Sequence, residues 1–158
     1  MTTSQFHRLS RAFAGLALGL AAGIASPALA QVEAPAQGTP LRAEILDALR
    51  GHAVSELGAP IEFVVNDIRV LGEWAYVDAT PQRPGGGEIF YVYTRYQGAQ
   101  DAGAFDDNAV ALLRQTPAGW LVYEYSFGAT DVAWLPWMTW YPVPPEVFPG
   151  PGTGGPAK

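Results

Sequence analysis

The apolar residues of this chain recur with one period before Gly58-Ala59-Pro60 and with another after it. Upstream, Leu41, Ile45, Ala48, Leu49 and His52 fall at i, i+4, i+7, i+8 and i+11, one face of a helix. Thr39 and Pro40 suit an N-cap and a first helical position, and Gly58 followed by Pro60 supplies the stop. Gly51 weakens the interior, so the spacing predicts a helix that ends up to a turn early. Downstream the period is two. Residues 63–71 and 74–80 are β-rich runs flanking Gly72-Glu73, and a leading glycine fits a two-residue type II′ hairpin. That register sets Leu71 opposite Trp74, Val70 opposite Ala75 and Ile68 opposite Val77, with Ile68, Val70, Ala75 and Val77 on one core face. Phe63 and Val65 fall out of phase, which a bulge near Asn66-Asp67 repairs.

After a loop at 81–87, residues 88–96 are dense in Phe, Tyr, Val and Thr and predict a third strand. A polar loop at 97–108 follows, then a second hairpin, 109–115 and 120–127, across Thr116-Pro117-Ala118-Gly119. Hairpins without a βαβ rhythm define an α+β fold: one N-terminal helix on a bent antiparallel sheet of about five strands. Thr130 and Asp131 read as the start of a short aromatic-rich helical segment that Pro136 interrupts and restarts.

The ends differ in composition. Residues 1–30 have Arg8 and Arg11, an uncharged Ala/Leu/Gly run at 13–24, and Ala28-Leu29-Ala30 behind Pro27, the pattern of a cleaved signal peptide. The run is about a dozen residues, short of the ~20 that span a bilayer. The expectation is export, to the periplasm or the medium. Losing Arg8, Arg11 and no acid moves the formal charge from −6 to −8 and leaves Lys158 as the lysine of the chain. Residues 31–38 read as a disordered linker and 149–158 as a disordered Gly/Pro tail, which leaves one domain at 39–148. No cysteine is present, which excludes disulfides, thiolate metal sites and catalytic thiols, so stability rests on the core. The acidic balance argues against nucleic acid as a partner, and no membrane contact is expected after cleavage.

Candidate chemistry is sparse. His52, the histidine that remains after cleavage, is open to a general-base role or a capping one. Asp67 and Asp78 become cross-strand neighbours with Arg69 diagonal, which is either an acid–base pair or a solvated face. Asp101, Asp106 and Asp107 share a loop without EF-hand spacing, and Ser126 lacks the nucleophile-elbow context. Gly85-Gly86-Gly87 has no P-loop Lys-Ser/Thr, and neither a cofactor nor a metal site is expected. The best binding candidates are Trp134, Trp137, Trp140 and Tyr141. Exposed, they would stack on a sugar or peptide, whereas at i, i+3 and i+7 the first two and Tyr141 would instead cover the sheet.

Three stretches carry a resemblance. Gly72-Glu73-Trp74-Ala75-Tyr76-Val77-Asp78-Ala79 precedes Pro81-Gln82-Arg83-Pro84-Gly85-Gly86, Ala111-Leu112-Leu113-Arg114 precedes Gly119-Trp120-Leu121-Val122, and Gly128-Ala129-Thr130-Asp131-Val132-Ala133-Trp134 precedes Trp137. Together they resemble small exported bacterial proteins of unknown function, whose motifs carry no catalytic role to transfer. A helix followed by a bent antiparallel sheet is also similar in layout to the cystatin and NTF2-like folds. The NTF2-like likeness implies a ligand cone between helix and sheet, although those domains usually place more helices before the sheet.

Poverty of nucleophiles and surplus of aromatics favour a non-enzymatic domain that binds a protein or envelope component. The alternative is a small-pocket NTF2-like enzyme using His52, Asp67 or Asp78. Intact-mass measurement of the envelope fraction is expected to find a chain that begins at Gln31, and a mass starting at Met1 there overturns the cleavage assignment.

Overall fold

The computed structural model describes residues 31–150, so the signal-peptide assignment and the tail beyond Gly150 lie outside the described residues. Helix α1 spans Pro40–Leu57, with Thr39 as N-cap and Gly58 closing the other end at φ 75°. It runs through Gly51 to its full length, because Ile45, Leu49, Ala53 and Leu57 are all buried and packing outweighs one glycine. The buried stripe is therefore i, i+4, i+8, i+12, and His52 lies off it, exposed. Thr39 occupies the cap position without capping: its hydroxyl donates to the Ala36 carbonyl at 2.8 Å.

Four strands follow, β1 (Glu62–Leu71), β2 (Trp74–Gln82), β3 (Ala109–Thr116) and β4 (Gly119–Phe127), in the order β1-β2-β3-β4, each neighbour antiparallel. The Gly72-Glu73 register is as the spacing predicts: Leu71 faces Trp74, Val70 faces Ala75 and Ile68 faces Val77. Gly72 takes φ 61° while Glu73 stays out of the left-handed region, the type II′ combination. The ladder slips between Val65 and Asp67, so the bulge is real, and a second slip lies between Leu112 and Leu113.

The expected fifth strand is absent. Residues 88–96 leave the sheet, and the 97–108 loop contains a short helix, α2 (Gln97–Asp101). Local chemistry overrides the β-rich composition. Pro81, where the returning chain would pair, has no N–H for either neighbour. Tyr93 turns the chain at φ 66°, held by Gln97 Oε1 accepting from its N–H at 2.9 Å. Thr94 donates both its N–H and its hydroxyl to the Tyr91 carbonyl. The linker reading of 31–38 is also corrected: Glu33 exchanges two 2.8 Å backbone bonds with Val70, and Pro35 is buried.

The sheet is covered on both faces. On one, α1 lies over Ala75, Val77, Ala79, Ala109, Ala111 and Leu113, where alanines let the helix approach closely. On the other, Trp74, Tyr76, Val110 and Leu112 meet a C-terminal layer built from Trp134, Trp137, Val143, Val147 and Phe148. Thr130-Asp131 starts no helix. The aromatic segment is a turn leading into the four-residue α3 (Trp137–Trp140), which Pro136 opens, and a 3-10 turn follows at Pro145–Val147. Trp134 stacks on Phe148 at a centroid distance of 5.4 Å.

Trp134 and Trp137 are 5% and 4% exposed, against 62% for Trp140. Trp134→Ala and Trp137→Ala are each expected to cost ~3–5 kcal/mol, and Trp140→Ala within ~0.5 kcal/mol of nothing, in chemical denaturation. Equal small losses at all three would remove the second core.

Candidate functional site

A cleft of about 690 Å³ opens beside the C-terminal layer. The β1 bulge supplies Asn66 and Asp67, β2 supplies Tyr76, Asp78 and Thr80, and the loop before β3 supplies Asp106, Asp107 and Asn108. The segment from Ala129 to Trp134 forms another wall, with Asp131 on it, and Pro149 lines the cleft as well. Pro149 is buried, so the ordered domain extends past the expected boundary at 148. Alternation along β2 builds this wall. Trp74, Tyr76 and Asp78 point to the C-terminal layer because Ala75, Val77 and Ala79 point to α1.

Five aspartates thus meet on one cleft, and one of them has a basic partner. Asp67 Oδ2 accepts from Arg69 Nε at 2.7 Å. Asp78, the Cα partner of Asp67 across the ladder, accepts from Asn66 Nδ2 at 3.2 Å. Asp107 accepts from the Tyr91 hydroxyl at 3.4 Å. Among the described residues no Lys, Arg or His pairs with Asp78, Asp106, Asp107 or Asp131. Every described arginine but Arg69 is engaged elsewhere. Arg42 donates to the Pro35 carbonyl, Arg50 pairs with Asp47, Arg95 with Glu56 and Arg114 with Glu73. Arg83 donates to the Leu57, Gly58 and Pro60 carbonyls.

These surroundings shift the titrating groups. Burial pushes the Asp78 carboxyl above its ordinary value, the Asn66 bond draws it back, and Asp67 adds a further push upward. Burial first, then Asp78 and Asp67, raises the Tyr76 hydroxyl well above the usual phenol range. Burial and Asp107 push Tyr91 up to about 12. The Asn108 amide donates to the Ala129 carbonyl at 2.8 Å, while its buried Oδ1 has no donor among the described residues.

The sequence candidates separate accordingly. Asp67 and Asp78 come together in the cleft. His52 does not join them: its ring meets that of Tyr125 at a tilt, 4.9 Å between centroids, and Tyr125 packs on the α1 side of the sheet. Trp134 lines the cleft with its indole largely buried in the second core, Trp137 is buried there, Trp140 is exposed, and Tyr141 is half-buried with its hydroxyl donating to Glu124. The four aromatics therefore form no common recognition face. Asp106 and Asp107 were visible in the sequence as loop acids and Asp131 as part of an expected helix start, but only the folded arrangement of loop, bulge and C-terminal layer unites them. Among the described residues no three His, Asp or Glu side chains converge to hold a metal ion, and no helix is long and apolar enough to cross a membrane.

No protein-family model matches the chain, and neither a curated protein nor a solved structure does, so the chemistry of the cleft rests on its own residues.

An acid whose pKa rises on folding stabilises the fold below its unfolded pKa and loses that contribution as pH rises through the folded value. The charged form of Asp78 is therefore a cost at neutral pH. Asp78→Asn is expected to raise the denaturation midpoint at about pH 7 and to change it little at about pH 3, where the wild-type carboxyl is largely protonated. An equal gain at both pH values would mean that charge is not the cause.

Proposed function

We propose that the chain is an exported, non-enzymatic binding domain that takes a cationic group of a protein or envelope component into this cleft. The observation that carries the reading is the charge imbalance: Asp78, Asp106, Asp107 and Asp131 line one cleft with no basic partner among the described residues. An amine or guanidinium entering there would meet an uncompensated negative field and relieve the mutual repulsion of the carboxylates. Val132 and Ala133 give an apolar wall against which the aliphatic stem of a basic side chain would lie. Steering by a negatively charged cleft also speeds encounter with a cation, more so at low salt.

Acid–base catalysis is the second reading, and one observation favours it: Asp67 is paired with Arg69 while Asp78 is desolvated, an asymmetry by which two carboxyls divide acid and base roles. Turnover of a cationic substrate that both Asp67→Asn and Asp78→Asn abolish is the result that would select it.

Calorimetric titration of the protein with spermine tests the binding reading. Saturable binding that weakens with salt is expected, and Asp106→Asn and Asp131→Asn should each weaken it by about two- to fivefold. Absence of saturable binding, or indifference to both substitutions, overturns it.

A further inference from the structure

Beyond Ala79, its last residue paired with β3, β2 continues through residues 80–82 with β1 alone beside it. The chain then turns and closes a single bridge, Arg83 to Gly87. Continued in that register, Glu88 would face Gln82 and Ile89 would face Pro81. The two segments diverge instead, and a groove of about 350 Å³ opens between them.

One wall of this groove is an extended segment without a ladder. Ile89 and Tyr91 are buried in the core under α1, while Phe90 is 76% exposed and Val92 52%, the alternation of a strand. Among the described residues, no backbone N–H or C=O of Glu88, Ile89, Phe90 or Val92 makes a hydrogen bond, and neither does the Tyr91 N–H. Two buried side chains thus hold the segment in place while its backbone edge stays open. Edge backbone of this kind is what an added strand pairs with.

Charge selects the occupant. The charged residues of the groove are Glu88 and Asp107, and no base lines it. Thr80 and Asp107 also line the acidic cleft, so groove and cleft adjoin. A second copy of this chain, at a formal charge of −6, would bring more negative charge to the same place.

We propose that the groove is a strand-addition site: an extended segment of a partner protein, with basic side chains at alternate positions, pairs its backbone with residues 88–92 and sends those side chains toward Glu88, Asp107 and the adjoining cleft. This inference rests on the reading of the cleft as a cation site and adds that the ligand is a peptide held by its main chain. Tyr93, at φ 66°, ends the pairing edge, which limits the added strand to a few residues.

The probe is a blocked peptide of alternating lysine and threonine, titrated into the full mature protein beside the same peptide N-methylated at alternate amides. N-methylation is expected to weaken binding about tenfold or more, the loss of one or two backbone bonds. Amide exchange at residues 88–92 should slow on adding the unmethylated peptide. Glu88→Gln should weaken the peptide and leave spermine unaffected, because Glu88 lines the groove and not the cleft. If spermine binds and the two peptides bind equally, the strand-addition site is overturned while the cation reading stands. If spermine and both peptides fail to bind, both are overturned.

Discussion

Burial of β2 and β3 on both faces is the constraint from which the rest of the molecule follows. An antiparallel sheet commonly leaves one face to water. Here Trp74, Tyr76, Val110 and Leu112 are buried, as are Ala75, Val77, Ala111 and Leu113 on the opposite side. A four-stranded sheet in a chain without cysteine needs both covers, and they come from opposite ends of the chain. Helix α1 covers one face and the 133–149 layer the other. The long-range ties that hold the covers are polar. Arg83 takes three carbonyls at the C-terminal end of α1, where orphaned acceptors and the helix dipole favour a cation. Glu56 accepts from both the Tyr96 and Tyr125 hydroxyls and pairs with Arg95, joining α1 to β4 and to the loop that carries Tyr96. Arg69 reaches the Phe148 carbonyl at 3.3 Å from β1.

Contacts of this kind engage every arginine among the described residues. The described arginines bind carbonyls or acids that hold elements together, which leaves most of the cleft carboxylates without counter-charge. The cleft is acidic because every described arginine but Arg69 is engaged elsewhere, and burial there pushes the Asp78 carboxyl above its ordinary value. Perturbed titrating groups of this kind tend to gather at functional sites.

Local signals were legible in the sequence and global ones were not. Gly72-Glu73 set the register of a whole hairpin because only one turn geometry suits a leading glycine, and the phase break at Val65 located the bulge. The pairing of Asp67 with Asp78 followed directly. The spacing of Trp134, Trp137 and Tyr141 offered a cover for the sheet as one of two readings, and Trp134 and Trp137 do lie against it; that Val143, Val147 and Phe148 complete this layer escaped, because Trp74, Tyr76 and Leu112 alternate with equally apolar neighbours and show burial on both faces without naming every partner. His52 was assigned to the buried stripe on spacing alone, where the choice between neighbouring faces needs the helix partner. The cleft was legible only in fragments. Its acids lie on a bulge, a strand and two loops, and no pattern along the chain brings Asp131 to Asp78.

The segment at 88–92 joins these threads. It has the strong β composition of a strand, and in the fold it keeps the alternation of a strand without the ladder. Pro81 and Tyr93 prevent it from pairing with its own sheet, yet burial of Ile89 and Tyr91 prevents it from dispersing into a mobile loop. Propensity and structure disagree at that point alone among the long β-rich runs. Disagreement between local preference and global fold is expected where a site has been built at the expense of the scaffold. That the disagreement borders the acidic cleft, with Thr80 and Asp107 common to both, makes an unpaired main chain and an unpaired set of charges two parts of one surface.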